Sequence, residues 1–503
     1  MKLLSPVISR LARMRLWGVE NWISFPISAQ RNVLQHLVTQ AQYTEFGRKY
    51  KFSRLFTVKD FKTRIPIHEY NDLKSYINRM MAGEQNILWN TPIYWFAKSS
   101  GTTSDKSKFI PISEESLKDI HFKGSKDVLT NYYKNFPDSD LLTGKSLVVG
   151  GSHQVNNLDE EIQYGDLSAV LMQNTPFWGH WIRTPQLNIA LLDEWESKIE
   201  HLAQNTINEN VTSLAGVPTW TIILIKRILE ISGKKTLKEV WPNLELYMHG
   251  GVSFVPYRDQ INKLIGVPIN YLEMYNASEG FFAAQNMPDD EGLLLYTDHG
   301  IFYEFLPVEE YGKSNETIGL KEVELHKNYA LVISTNGGLW RYLLGDTIEF
   351  TSLRPFKIKV TGRLKHYMNA FGEEVIVDNA DKAIAIASEK TNSIVKDYTA
   401  APVFFSENNN GAHEWLIEFE TAPQDLNQFT FELDEALKCL NSDYEAKRYK
   451  NIALRLPIIH SLSKNTFNQW LKSKGKLGGQ HKVPRLSNER IMVEEILAMN
   501  KQK

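Results

Sequence analysis

Apolar positions recur at helical spacing through residues 1–90, and the pattern predicts a mixed amphipathic helix over 4–23, further helices, and a turn at Ile65-Pro66. The periodicity then changes. Short apolar runs at 93–97, 146–149, 212–216, 244–249 and 269–274 predict strands, and segments 113–135, 193–209, 218–232 and 256–265 predict helices between them. Strands alternating with helices imply an α/β architecture with a mostly parallel sheet. The helix opening at Pro218 is apolar nearly all round (Trp220, Ile222, Ile223, Leu224, Ile225), which predicts burial. From 293 the pattern becomes β-rich, with runs at 300–305, 329–335, 339–342, 347–351 and 357–360 and a turn at Asn336-Gly337-Gly338. Beyond 365 a smaller α+β section follows, with a helical stretch at 426–450 and strands near 414–420 and 451–456. The expected division is a large α/β domain over 1–364, including a β-rich subdomain, and a small α+β domain over 365–503.

Composition narrows the class without naming it. The 503 residues are 42% apolar and 23% charged, an ordinary globular balance with enough chain for about two to four domains. A formal net charge of -2 gives no electrostatic footprint for nucleic acid. Cys439 is the single cysteine, so the chain can hold no internal disulfide framework and no thiolate metal cluster, as suits a reducing cytoplasm. Met1-Lys2-Leu3-Leu4 begins like a signal peptide, but Arg10, Arg13, Arg15 and Glu20 interrupt the apolar region secretion requires. The longest apolar run, 220–225, ends at Lys226, well short of a membrane span. A soluble cytoplasmic protein with no nucleic-acid or membrane partner is expected, its oligomeric state open.

One stretch carries chemistry. Lys98-Ser99-Ser100-Gly101-Thr102-Thr103-Ser104-Asp105-Lys106-Ser107-Lys108 follows a predicted strand. Ser99, Ser100, Gly101, Thr102 and Thr103 supply a flexible backbone of N–H donors and four hydroxyls, a concavity suited to phosphate oxygens, and Lys106 and Lys108 add mobile positive charge. The Gly-x-x-x-x-Gly-Lys-Ser/Thr spacing of a Walker loop is absent, and a solvated surface loop is the plain alternative.

Further motifs weigh against that alternative. His249-Gly250-Gly251-Val252-Ser253-Phe254 ends an apolar strand, Tyr275-Asn276-Ala277-Ser278-Glu279-Gly280 ends another, and Trp340-Arg341-Tyr342-Leu343-Leu344-Gly345-Asp346 precedes Thr361-Gly362-Arg363-Leu364-Lys365. Near the end stands Gly479-Gln480-His481-Lys482-Val483-Pro484-Arg485. Taken in order, these resemble the motifs of the adenylate-forming superfamily, and the long spacing from the serine–threonine loop to Lys108 resembles its auxin-responsive acyl acid amido synthetases. The resemblance covers nearly the whole chain and implies roles. Ser99 to Thr103 and Lys108 would hold phosphates, and Gly250 and Gly251 would border adenine. Tyr275 would stack near adenine, with Asn276, Ala277 and Ser278 on the adenylate and Glu279 on Mg2+. Tyr342 would belong to the nucleotide site, Asp346 would bind the ribose, and Arg363 would reach ribose and phosphates. Lys365 would be the hinge of a mobile C-terminal domain, and Lys482 the lysine that domain supplies. Gly216-Val217-Pro218-Thr219-Trp220 also matches, implying acyl-pocket roles for Val217, Pro218 and Trp220.

The activity implied is ATP- and Mg2+-dependent ligation, in which a carboxylic acid becomes an acyl adenylate and passes to an amine such as an amino acid. The Pro-x-x-Gly-Lys ending of acyl-CoA synthetases is absent from 486–503. An acyl-CoA ligase and a nucleotide-binding homologue without catalysis stand as alternatives. Neither acid nor amine can be read from the residues, and spacing does not assign Trp178 or Trp181 to a pocket.

Overall fold

A computed structural model describes residues 5–100, 107–150, 156–157, 161–176, 179, 181–190, 192, 195–252, 254, 257–288, 290–364, 367–405, 410–451, 453–474 and 483–501. The chain forms two compact units, one of Met1–Ser99, Phe109–Gly251 and Asp259–Leu364, the other of Ser100–Lys108, Val252–Arg258 and Lys365–Lys503.

The first unit opens with helices Ser5–Ser24, Pro26–Ala41, Val58–Arg64 and Tyr70–Met81. Pro26 starts the second because its missing N–H would be unpaired there in any case. Thr57 and Asp60 start the third as a reciprocal capping box, each side chain accepting the other's backbone N–H at 3.0–3.1 Å. Strands β1 (Trp95–Ser100) and β2 (Ser107–Ile112) follow, then β3 (Lys145–Val149), β4 (Asn156–Asn157), β5 (Gln163–Asp166) and β6 (Arg183–Thr184). After them come β7 (Val211–Gly216), β8 (Leu246–Gly250), β9 (Asn270–Ala277), β10 (Gly280–Ala284) and β11 (Leu293–Leu295). The last four are β12 (Ile301–Pro307), β13 (Asn328–Thr335), β14 (Tyr342–Leu353) and β15 (Phe356–Arg363).

Among the described residues these strands make two sheets, a small one ordered β2-β1-β5-β4 and an eleven-stranded one ordered β12-β13-β14-β15-β11-β10-β9-β8-β7-β3-β6. The pairings β6–β3–β7–β8–β9 are parallel and those from β9 through β10, β11, β15, β14 and β13 to β12 are antiparallel. The α/β expectation therefore holds, but the β-rich section is the continuation of the same sheet. The helix Pro218–Ser232 buries Ile222, Leu224, Ile225 and Ile228, as its all-round apolarity predicts.

Three predicted strands are corrected. The run expected to stop at 274 continues to Ala277, so Tyr275, Asn276 and Ala277 lie on β9 itself. Residues 339–341 precede the strand: Leu339 and Trp340 are apolar because they fill the core, Trp340 stacking on Phe46 and donating its indole N–H to Leu88 O at 3.0 Å, and Arg341 has φ 44°. Among the described residues of 451–456 no strand forms; Lys450 and Asn451 take left-handed backbone and Leu454 O accepts from Arg448, and the strand is Ile458–Leu462.

The second unit is built on a three-stranded sheet, Ile394–Val403, Ala412–Thr421 and Ile458–Leu462. Helices Val377–Lys390 and Leu426–Leu440 pack together beside it, around Trp415, Phe429, Leu433 and Leu437. Asp434 is buried and accepts from Arg448 Nε at 2.5 Å and Tyr444 OH at 2.7 Å, so burial of its charge is offset by direct pairing. Tyr257 belongs to this unit, packing on Phe404 and Phe405 and donating to Ala370 O.

Candidate active site

Asp346 sits at a defect in β14. Ala330 pairs with Thr347 and Val332 with Leu343, so three residues, Leu344 to Asp346, stand opposite Leu331 alone. Gly345 absorbs the excess with φ 94°, a conformation glycine adopts without steric cost. On the other flank Asp346 pairs with Arg363 of β15, and Leu364 N–H donates to Gly345 O at 2.9 Å. The bulge brings the Asp346 carboxylate between two donors: Tyr275 OH reaches Oδ2 at 2.7 Å and Arg363 Nε reaches Oδ1 at 2.8 Å. Burial raises the Tyr275 phenol well above its ordinary pKa, and the Asp346 charge adds to the shift, so the hydroxyl keeps its proton and donates. Each carboxylate oxygen accepts about two bonds, which leaves capacity for further hydroxyl donors.

Glu279 occupies the turn of a hairpin. Ala277 of β9 pairs with Gly280 of β10, leaving Ser278-Glu279 as the two turn residues, and Glu279 is buried. Its charge helps burial raise the phenols of Tyr342 and, as a smaller contribution, Tyr275. One carboxylate facing substrate phosphates is how Mg2+ is commonly held, and no group of three or more His, Cys, Asp or Glu among the described residues could form a dedicated metal cage. The donor set fits a metal that arrives with a phosphate substrate.

The carboxyl ends of the parallel strands carry the glycine segments. Gly216 pairs with His249, and Gly250 with Met274, so β7, β8 and β9 end side by side, where ligands of open α/β sheets bind. A Cβ on Gly250 would stand 2.3 Å from Met274 O, so only glycine fits; Gly251 has φ 82°, and Val217 Cγ2 lies 3.4 Å from where its Cβ would be. Val217 and buried Pro218 open the helix Pro218–Ser232, and half-buried Trp220 lies in its first turn. Tyr247 OH locks this corner, 3.0 Å from Gly216 O and 3.1 Å from Thr221 Oγ1.

Profiles of the GH3 family N-terminal, central and C-terminal domains match residues 16–269, 294–363 and 378–491. The chain belongs to the GH3 family. Among curated GH3 relatives, the indole-3-acetic acid-amido synthetase GH3.4 of Arabidopsis thaliana is 23% identical over 96% of this chain and 92% of its own length. The 4-substituted benzoates-glutamate ligase GH3.12 of the same plant is 21% identical over 91% and 92%. The solved GH3.15 acyl acid amido synthetase in complex with 2,4-DB shares the fold, with TM-score 0.63, 20% identity and coverage of 97% of this chain and 96% of that one. A 2-hydroxyisobutyryl-CoA ligase shares it at TM-score 0.59 and 13% identity, over 95% and 92%.

Within this GH3 chain, Tyr275, Tyr342, Asp346, Arg363 and Glu279 gather in the first unit, with Asn276, Ala277 and Ser278 on the same strand and turn. Ser99 and Ser100 end β1, and buried Lys108 is the second residue of β2, whose Phe109 N–H donates to Tyr70 OH at 2.9 Å. Gly101, Thr102, Thr103, Lys106, Trp178, Lys365 and Lys482 lie outside the described residues. Trp181 is 62% exposed. Arg485 pairs with Asp397 and covers the Tyr398 ring at 4.5 Å, a bracing role inside the second unit. The resemblance of the motifs named the members of the Asp346 cluster; the Tyr275–Asp346 bond had no signal, because three strands (β10, β11 and β15) stand between β9 and β14 in the sheet and no local pattern pairs the two residues.

Proposed function

We propose that this GH3-family chain is an ATP-dependent acyl acid amido synthetase. The observation that carries the reading is the Asp346 carboxylate, held by Tyr275 and Arg363 at a bulge with acceptor capacity to spare, beside the Glu279 turn. Asp346 accepts the ribose hydroxyls, Arg363 adds positive charge toward the α-phosphate, and the glycine pair Gly250-Gly251 leaves room for the adenine plane. Val217, Pro218 and Trp220 bound the acyl side. The acid's carboxylate oxygen attacks the α-phosphorus, the bond to the bridging oxygen breaks and pyrophosphate leaves. The amine nitrogen then attacks the acyl carbon, AMP departs with its oxygen, and the nitrogen loses a proton.

Negative charge gathers at phosphorus in the first step, so fixed donors should supply the main catalytic term. Ser99 to Thr103, Lys108 and Lys482 are the donors assigned to it, and Glu279 would hold Mg2+, which neutralises phosphate charge when bound. Lys365 is the assigned hinge. One plant relative is a 4-substituted benzoates-glutamate ligase and the solved GH3.15 amido synthetase is in complex with 2,4-DB, which supports carboxylic acid and amino acid as the substrate classes.

ATP–pyrophosphate exchange over a panel of carboxylic acids tests the reading, followed by mass analysis of products with amino acids or CoA. Acid-dependent exchange and an amide product are expected. A thioester alone would assign a CoA ligase, and no exchange with any acid would leave a non-catalytic nucleotide binder. In the same assay Asp346→Ala should raise the ATP KM about 10²-fold, the loss of two charge-assisted bonds; an unchanged KM removes Asp346 from the site.

A further inference from the structure

Arg341 has left-handed backbone, φ 44°, and a buried side chain immediately before β14. For a residue with a Cβ that conformation is strained, so the surroundings must impose it. They do so completely. Nε and Nη2 donate to the two oxygens of buried Glu304 at 2.9 Å each, and Nη2 also to Thr317 Oγ1 at 3.1 Å. Nη1 donates to Lys62 O at 2.8 Å and Ile65 O at 2.5 Å. The five guanidinium N–H groups are thereby all used, on three separate segments of chain. Arg341 N–H donates to Ser334 Oγ and its carbonyl accepts from His68 N–H, both at 2.9 Å, while Leu343 N–H donates to His68 O at 2.9 Å.

A buried ion pair is weak evidence of net stabilisation, since desolvation offsets most of its attraction. This one lies immediately before β14, where it can anchor the start of the strand. Downstream, three residues oppose one at the bulge, an arrangement that pairing alone holds weakly: a slip by one residue would put Gly345 or Thr347 in place of Asp346. We propose that Arg341 is a positioning residue for the nucleotide site, acting through Asp346 by anchoring the register of β14. The inference rests on the reading of Asp346 as the ribose ligand.

Arg341→Met alone would strand the Glu304 charge and unfold the chain, so the test is the double variant Arg341→Met/Glu304→Met, which replaces the pair by apolar groups. It should unfold within a few degrees of the parent. In acid-dependent exchange its ATP KM should rise about tenfold, the equivalent of roughly one charge-assisted bond, with the acid KM and the kcat at saturating ATP nearly unchanged. A folded double variant with the parental ATP KM overturns the proposal, and so does a parallel loss in all three parameters. If the double variant fails to fold, Arg341→Lys decides: it keeps the charge but at most three donors, and an unchanged ATP KM again overturns the role. Should the parent show no exchange, the failure belongs to the proposed function, and ATP affinity by calorimetry reads the same variants.

Discussion

His121 lies in the π-helical turn Ser116–Phe122, buried, with neither ring nitrogen hydrogen-bonded among the described residues. Burial alone pulls its pKa down to about 4, against about 6.5 unfolded. The unfolded chain therefore binds the extra proton first, and stability falls as pH drops from about 6.5 towards 4, by about 1.4 kcal/mol per pH unit at the steepest. His121→Leu removes both the unsatisfied nitrogens and the titration. Denaturant unfolding should find the variant more stable by about 1 kcal/mol at pH 7.5, with the gap widening at pH 5. An equal pH slope in both proteins would show that the imidazole is already solvated or paired.

Elements are joined by a few buried polar links that patterning does not reveal. The helix Ser5–Ser24 is legible from its spacing, but what it docks on is not: Arg15 donates to Asp127 of helix Lys123–Asn135 through Nε at 2.8 Å and Nη2 at 3.0 Å, and His299 Nε2 lies 3.0 Å from the same carboxylate. Burial works to raise the Asp127 pKa, but the bonds from His299 and Arg15 outweigh it and hold the group below its ordinary value. A depressed carboxylate contributes stability that is present above about pH 4 and lost as pH falls through the folded value. Asp127→Asn should cost about 2 kcal/mol at pH 7, less than a fully buried pair because Arg15 is one-third exposed and can rehydrate. Below about pH 4 the cost should shrink. A pH-independent difference in unfolding free energy would assign the loss to packing.

For the whole molecule the question is how a residue far along the chain serves the reaction. Lys482 stands more than a hundred residues beyond Lys365, and the role assigned to it comes from the order of motifs. A lysine acting on developing phosphate charge matters more in the transition state than in the ground state. Lys482→Ala should lower kcat for adenylate formation by about 10²-fold or more, with little change in ATP KM. Amide formation from chemically supplied acyl adenylate should survive better than the overall reaction. Equal loss in both half-reactions would point to a damaged C-terminal unit, and parental adenylation would return Lys482 to a surface loop. No helix among the described residues is long and apolar enough to cross a membrane.

Residue type and order along the chain were enough to determine the α/β class, because the alternation of strands and helices is written in local periodicity, and the resemblance of the motifs, also a local property, named the members of the Asp346 cluster. Local patterning misled at 339–341 and 451–456, where Leu339, Trp340, Ala453 and Leu454 are buried from outside the strands. Tertiary structure alone decided that the parallel and antiparallel strands share one sheet, that Tyr275 bonds Asp346, and that Arg341 spends five donors on residues 62, 65, 304 and 317. Each of these pairs groups distant in sequence, and which distant groups meet is fixed by burial and strand register, neither of which any short window of the chain contains.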